Sequence, residues 1–125
     1  MRLYEYEGKI LFKNAGIRIP EGHVLDKNTD LRIVEDGFWP KVIKAQVLKG
    51  GRGKVGAITF PKNMEELRET VKSLLGTTIF NEEVSRILVE KRLTVKKEYY
   101  LSISYKSDLP VVIFSRRGGV DVDSS

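Results

Sequence analysis

An α+β fold with an α/β-type lobe is what this 125-residue sequence predicts, on three observations. Residues 4–15 and 64–75 carry apolar positions at spacings of three and four, the period of a helix with one buried face. Short β-branched runs lie between and after them, at 41–48, 57–60 and 87–90. Near the end, two strand-like runs flank a proline-containing turn, which reads as an antiparallel pair.

Each element has its own signal. Tyr4 to Ala15 is expected to be a helix with Tyr4, Gly8, Leu11, Phe12 and Ala15 on one face, closed by Gly16. Residues 17–22 form an extended turn, and a short strand follows around His23–Leu25. Residues 26–30 are turn-like, while 31–35 fit either a strand or one helical turn. Trp39-Pro40 opens a buried strand running to Leu48. After the strand Ala57–Phe60, Asn63 is a helix N-cap with Glu66 at the capping-box spacing. Met64, Leu67, Val71, Leu74 and Leu75 form that helix's apolar stripe, and Gly76 ends it. Ile87–Glu90 is a further strand. Glu98–Tyr105 and Val111–Ser115 pair across the turn Ser107-Asp-Leu-Pro110.

Composition bounds the partners. Twenty-two Lys and Arg against 17 Asp and Glu give a net charge of +5, which favours anionic ligands. Cations alternate with Glu rather than forming a long basic block, so nucleic acid is an open but weakly supported partner. No apolar run approaches the roughly 20 residues that span a bilayer, so no membrane partner is expected. The first residues lack the apolar core of a signal peptide. The sequence has no cysteine, which fits a reducing interior, and a cytoplasmic location is the expectation. The length allows one small domain, or two lobes sharing a core.

The densest chemical signal is Lys41 to Gly56. An apolar strand carrying Lys44 feeds a loop with Gly50, Gly51, Gly53 and Gly56, interleaved with Lys49, Arg52 and Lys54. Glycines let backbone N–H groups approach a ligand, and the cations neutralise negative charge. That pattern suits a flap over the phosphates of a nucleotide. Gly51-Arg-Gly53-Lys-Val-Gly56 matches G-x-G-x-x-G, but the dinucleotide motif needs a helix next, and Ala57–Phe60 is a poor helix start. A Walker A loop fails because Val55 follows Lys54. A protein kinase fails for want of H-R-D and D-F-G segments. The plain alternative is a glycine hairpin with solvated cations.

Five segments in order carry a resemblance: Leu3–Phe12, the glycine loop, Leu88-Val-Glu90, Lys97–Leu101 and Gly118–Asp123. Together they resemble the amino-terminal part of the succinyl-CoA synthetase β-subunit family, within the ATP-grasp group. Malate–CoA ligase and ATP-citrate lyase families share the pattern. The resemblance implies an ATP-grasp fold: residues 21–93 as the first lobe with its flap, 94–125 as the start of the second, and 1–20 as a helix belonging with the second. It implies that Lys44 contacts the nucleotide phosphates and that Gly51, Arg52 and Gly53 form the nucleotide-binding loop. Glu90 ends the strand entering the interlobe hinge, Leu93 contributes through its backbone, and Glu98 serves the ribose hydroxyls. From the residues alone, Lys44 reads as a lysine snorkelling from a sheet edge, and Glu90 and Glu98 as surface ion-pair partners.

The resemblance further implies ATP or GTP as ligand, with Mg2+ held by residues matching positions beyond Ser125. It implies a CoA-binding α subunit as partner, bearing the phosphohistidine. Family members are about three times this length, so the chain reads as a fragment, inactive alone, with no catalytic nucleophile or base of its own. Residues 26–39 are shorter and more turn-like than the helix the family places there. His23, the sole histidine, reads as structural or surface. Trp39 and the five tyrosines read as core rather than a base-stacking platform. A non-catalytic nucleotide-binding module and a nucleic-acid-binding domain are the rival readings.

Overall fold

The structure, a computed structural model, describes residues 2–49, 56–106 and 108–118. In chain order the elements are α1 (Glu5–Asn14), β1 (Gly22–Leu25), a 3-10 turn (Leu31–Val34), β2 (Lys41–Ala45) and β3 (Ile58–Thr59). There follow α2 (Met64–Leu74), β4 (Thr78–Ile79), β5 (Glu82–Glu83), β6 (Ile87–Lys91), β7 (Tyr100–Lys106) and β8 (Leu109–Ser115). The fold is α+β. It divides into two compact units, Met1–Leu93 and Thr94–Ser125.

The first unit is built on a four-stranded sheet in the order β1-β6-β2-β3, antiparallel throughout. Side chains alternate between faces along a strand, so the register sorts them. Ile43 opposite Val89 and Ala45 opposite Ile87 point to one face. They join Leu25, Val34, Leu67, Val71 and Val84 in the buried core. Helix α2 covers this face through its apolar stripe. Leu67 and Val71 are buried, and Met64, Leu74 and Leu75 pack around them, as their spacing predicts. The Asn63 side chain accepts from the Glu66 N–H at 2.9 Å, satisfying one of the helix's orphan donors. Gly76, at φ +86°, takes the left-handed conformation that ends such helices.

The buried strand is shorter than its apolar run. Regular pairing of β2 ends at Ala45, yet Gln46 and Val47 remain buried. Residues 31–35 resolve as the 3-10 turn, N-capped by Asp30, whose side chain accepts from the Arg32 N–H. Lys41 is fully buried on the core face. Its ammonium donates to the Val34 and Asp36 carbonyls and lies 4.8 Å from the Trp39 ring centre. Burial pushes the Lys41 pKa down. Its role is to cap the 3-10 turn's carbonyls.

The aromatic expectation is corrected. None of Trp39 and the five tyrosines is buried; Trp39 is 37 % exposed and Tyr105 75 %. The core is aliphatic, because closely spaced sheet and helix are filled by Val, Leu and Ile. The second unit's described part is the β7–β8 hairpin, in continuous register from Tyr100–Ser115 to Lys106–Leu109. Pro110 lies inside β8, opposite Tyr105, so the turn is shorter than Ser107–Pro110. In a two-stranded ribbon a proline's missing N–H can face outward, which a central strand forbids.

Candidate functional site

The sheet's second face carries the polar chemistry. Val42 opposite Glu90 and Lys44 opposite Leu88 share it, with Gly22 beside Glu90 on β1. Lys44 and Glu90 are therefore diagonal neighbours, and the Lys44 ammonium donates to Glu90 Oε1 at 2.5 Å. Glu90 is 2 % exposed. A buried carboxylate must be paired, and this one also receives Lys9 Nζ from α1, at 2.6 Å to each oxygen. Lys9 and Lys44 both reach a second carboxylate, Glu5 Oε1, at 3.0 and 2.8 Å. Glu5, Lys9, Lys44 and Glu90 thus form a closed quartet of two cations and two anions.

Burial alone pulls the Lys44 pKa down. The hydrogen bonds it donates to Glu5 and Glu90, with their charges, outweigh it, and the pKa lies above the ordinary lysine range. The ammonium is therefore charged at neutral pH. Such a lysine is a fixed point charge for an anion.

Helix α1 docks by its polar side, contrary to the apolar face expected of it. Leu11 and Phe12 are more than half exposed, and no residue of the helix is buried. Glu5 and Lys9 turn to the sheet instead, and the Tyr6 N–H donates to Gln46 Oε1 at 3.1 Å. Gln46 in turn donates to the Lys44 carbonyl at 3.0 Å. Between α1 and β1 lies a groove of about 920 Å³ whose lining includes Lys9, Lys13, Arg18 and Glu90. Gly22 is required at its floor: a Cβ there would lie 2.9 Å from the Glu90 Cβ.

Of the expected site residues, the structure joins Lys44 and Glu90. Leu93 lies in the same unit, exposed, just past β6. The outgoing strand is tied there, as the Lys91 N–H donates to the Glu21 carbonyl and the Arg92 N–H to the Pro40 carbonyl. Glu98 belongs to the second unit, where its carboxylate lies against buried Gly118. Gly51, Arg52 and Gly53 lie outside the described residues. The flanking strands β2 and β3 are adjacent and antiparallel, so the loop joins two strands and opens no helix. His23 stacks on Phe38, 6.4 Å between ring centres. Sequence reading missed Glu5, Lys9 and Gln46. The i, i+4 spacing of Glu5 and Lys9 signals a helix ion pair, but nothing local points Lys9 at a residue 81 positions on.

Comparison with known proteins defines the class. The chain matches the ATP-grasp domain family over residues 2–124, and it belongs to that family. Among curated relatives, it is 44 % identical over 98 % of its length to the "Succinate--CoA ligase [ADP-forming] subunit beta" of Methanocaldococcus jannaschii. It is 37 % identical, again over 98 % of its length, to the protein of that name in Aquifex aeolicus. The chain spans 34 % of the length of each of these relatives. Its fold resembles that of Methanothrix soehngenii ATP citrate lyase, with TM-score 0.75, 24 % identity and coverage of 95 % of this chain and 32 % of that one. It also resembles Helicobacter pylori D-alanine–D-alanine ligase, with TM-score 0.65, 16 % identity and coverage of 90 % and 32 %.

Proposed function

We propose that this chain is the nucleotide-binding portion of a succinate–CoA ligase β subunit. Its share is to hold and cover ATP (or GTP) while the complete enzyme joins succinate to coenzyme A. One observation supports this most: the charged Lys44 ammonium, set by buried Glu90, stands on the strand feeding the glycine- and cation-rich loop. Curated relatives at 34–44 % identity supply the substrate class. In this reading Lys44 neutralises the phosphates, and Gly51, Arg52 and Gly53 cradle them with backbone N–H groups. The Glu90–Leu93 segment meets adenine through its main chain, and Glu98 accepts from the ribose hydroxyls. These are positioning and electrostatic roles. Residues 21–93 act as the first lobe and 94–125 as the start of the second, with 1–20 accompanying the second in the complete subunit.

In the complete enzyme, phosphoryl transfer from ATP proceeds through a phosphohistidine on a CoA-binding α subunit and an acyl phosphate. Coenzyme A then takes the acyl group. Magnesium neutralises the phosphates in such transfers. The described residues do not fit a magnesium site: none forms a group of three acidic or histidine donors, and Glu5 and Glu90 are committed to lysines. Among them, too, no helix is long and apolar enough to cross a membrane. A cytoplasmic location belongs to the same proposal.

Calorimetric titration with ATP and GTP tests the reading. Wild type is expected to bind, and Lys44→Met to weaken binding at least about tenfold, the scale of a charge-assisted contact. Equal affinity in both proteins overturns it. Should binding instead favour DNA or RNA, fall steeply with salt and ignore ATP, the chain is a nucleic-acid binder.

A further inference from the structure

We infer that Lys9 and Lys44 together form a paired-ammonium site for the nucleotide's polyphosphate, and that the Glu5 carboxylate is its resting occupant. The inference rests on the nucleotide-binding reading above and adds to it a second cation and an exchange step. Glu5 Oε1 is bridged by two ammonium nitrogens, Lys9 Nζ at 3.0 Å and Lys44 Nζ at 2.8 Å. A single anionic oxygen therefore already fits between the two lysines, in a pose a phosphate oxygen can take.

The two carboxylates of the quartet are not equivalent. Glu90 is 2 % exposed and grips both lysines from the sheet, with Oε1 at 2.6 Å from Lys9 and 2.5 Å from Lys44. Removing it would strand a buried charge, so it is the fixed member. Glu5 stands in the first turn of α1, more open at 17 % side-chain exposure. With Glu5 displaced, two ammoniums face one carboxylate, and the surplus positive charge draws an anion. A polyphosphate carries more charge and more acceptor oxygens than a single carboxylate, so it is the stronger partner for two ammoniums. Lys9 and Glu90 line the groove beside α1, so one of the two ammoniums and the fixed carboxylate border open space. No bond is made or broken in the exchange; Glu5 passes from lysine contact to water.

The inference makes an unusual demand: deleting an acidic ion-pair partner should improve binding. With ATP as titrant, Glu5→Gln is expected to bind about fivefold tighter than wild type, the scale of a partly exposed ion pair. Lys9→Met is expected to bind about tenfold more weakly, with Lys9→Arg recovering most of the loss. A merely structural role for Glu5 gives the opposite sign, so weaker or unchanged binding in Glu5→Gln overturns the inference. Unchanged binding in Lys9→Met does the same. If either variant does not fold, the side-chain carboxyl carbon signal of Glu5 in wild type decides. It should shift on titration with tripolyphosphate, and a signal unmoved at saturation sinks the exchange. Loss of ATP binding in Lys44→Met alongside wild-type affinity in the Glu5 and Lys9 variants would leave the nucleotide reading intact and remove only the paired site.

Discussion

Single residues decide whether the polar face of the sheet exists at all. Gly22 pairs with Glu90 and leaves no space for a methyl group, the nearest atom to a Cβ being the Glu90 Cβ at 2.9 Å. Gly22→Ala is expected to destabilise by about 1–3 kcal/mol, the range for overpacking. Gly8→Ala on α1, where nothing lies within 4 Å, should be neutral or stabilise by up to about 1 kcal/mol. Urea midpoints of the two variants provide the comparison. Lys44 also carries a pH signature. Its pKa is raised on folding, so its contribution is complete below the unfolded lysine value and is lost as pH rises through the folded one. The stability difference between wild type and Lys44→Met should therefore hold up to about pH 10 and shrink as pH rises beyond it. A difference that grows over that rise contradicts the assignment. At this scale the sequence marks Lys44 through the glycine loop it feeds. It does not mark Lys9, Glu5 or Gln46, whose partners are set by sheet register and helix docking rather than by neighbours in the chain.

Elements with complete local signals are legible, and those stabilised from a distance are not. Helix α2 has an N-cap, an apolar stripe and a terminal glycine, and all three are observed in place. Leu67→Ala should cost about 2–5 kcal/mol by leaving a cavity under the sheet, and Asn63→Ala about 1 kcal/mol by orphaning the Glu66 N–H. Thermal unfolding of the two variants checks that ranking. Helix α1 has a comparable apolar stripe, yet it turns its charged side inward because the sheet offers Lys44 and Glu90 there. The small β4–β5 hairpin went unread. Its turn residues Phe80 and Asn81 have φ of 53° and 62°. Asn tolerates that conformation, whereas Phe rarely adopts it. Phe80 is held there by packing against the core and by the Lys49 ammonium 4.9 Å from its ring centre, neither visible in local sequence.

At the scale of the molecule, stability should be unevenly distributed. The first unit buries an aliphatic core between sheet and helix, whereas the β7–β8 hairpin leaves Leu101, Ile103, Leu109 and Phe114 more than half exposed. A two-stranded ribbon with so little buried surface is marginal. Its amides are expected to exchange with solvent well before those of β2 and β6, a difference hydrogen exchange resolves directly. The most direct trial of the central claim is to follow the lysine side-chain ammonium signals while ATP is added to the chain. The account expects the Lys44 signal to move first and furthest, with that of the exposed Lys72 on α2 unmoved. ATP that binds while Lys44 stays still would contradict it.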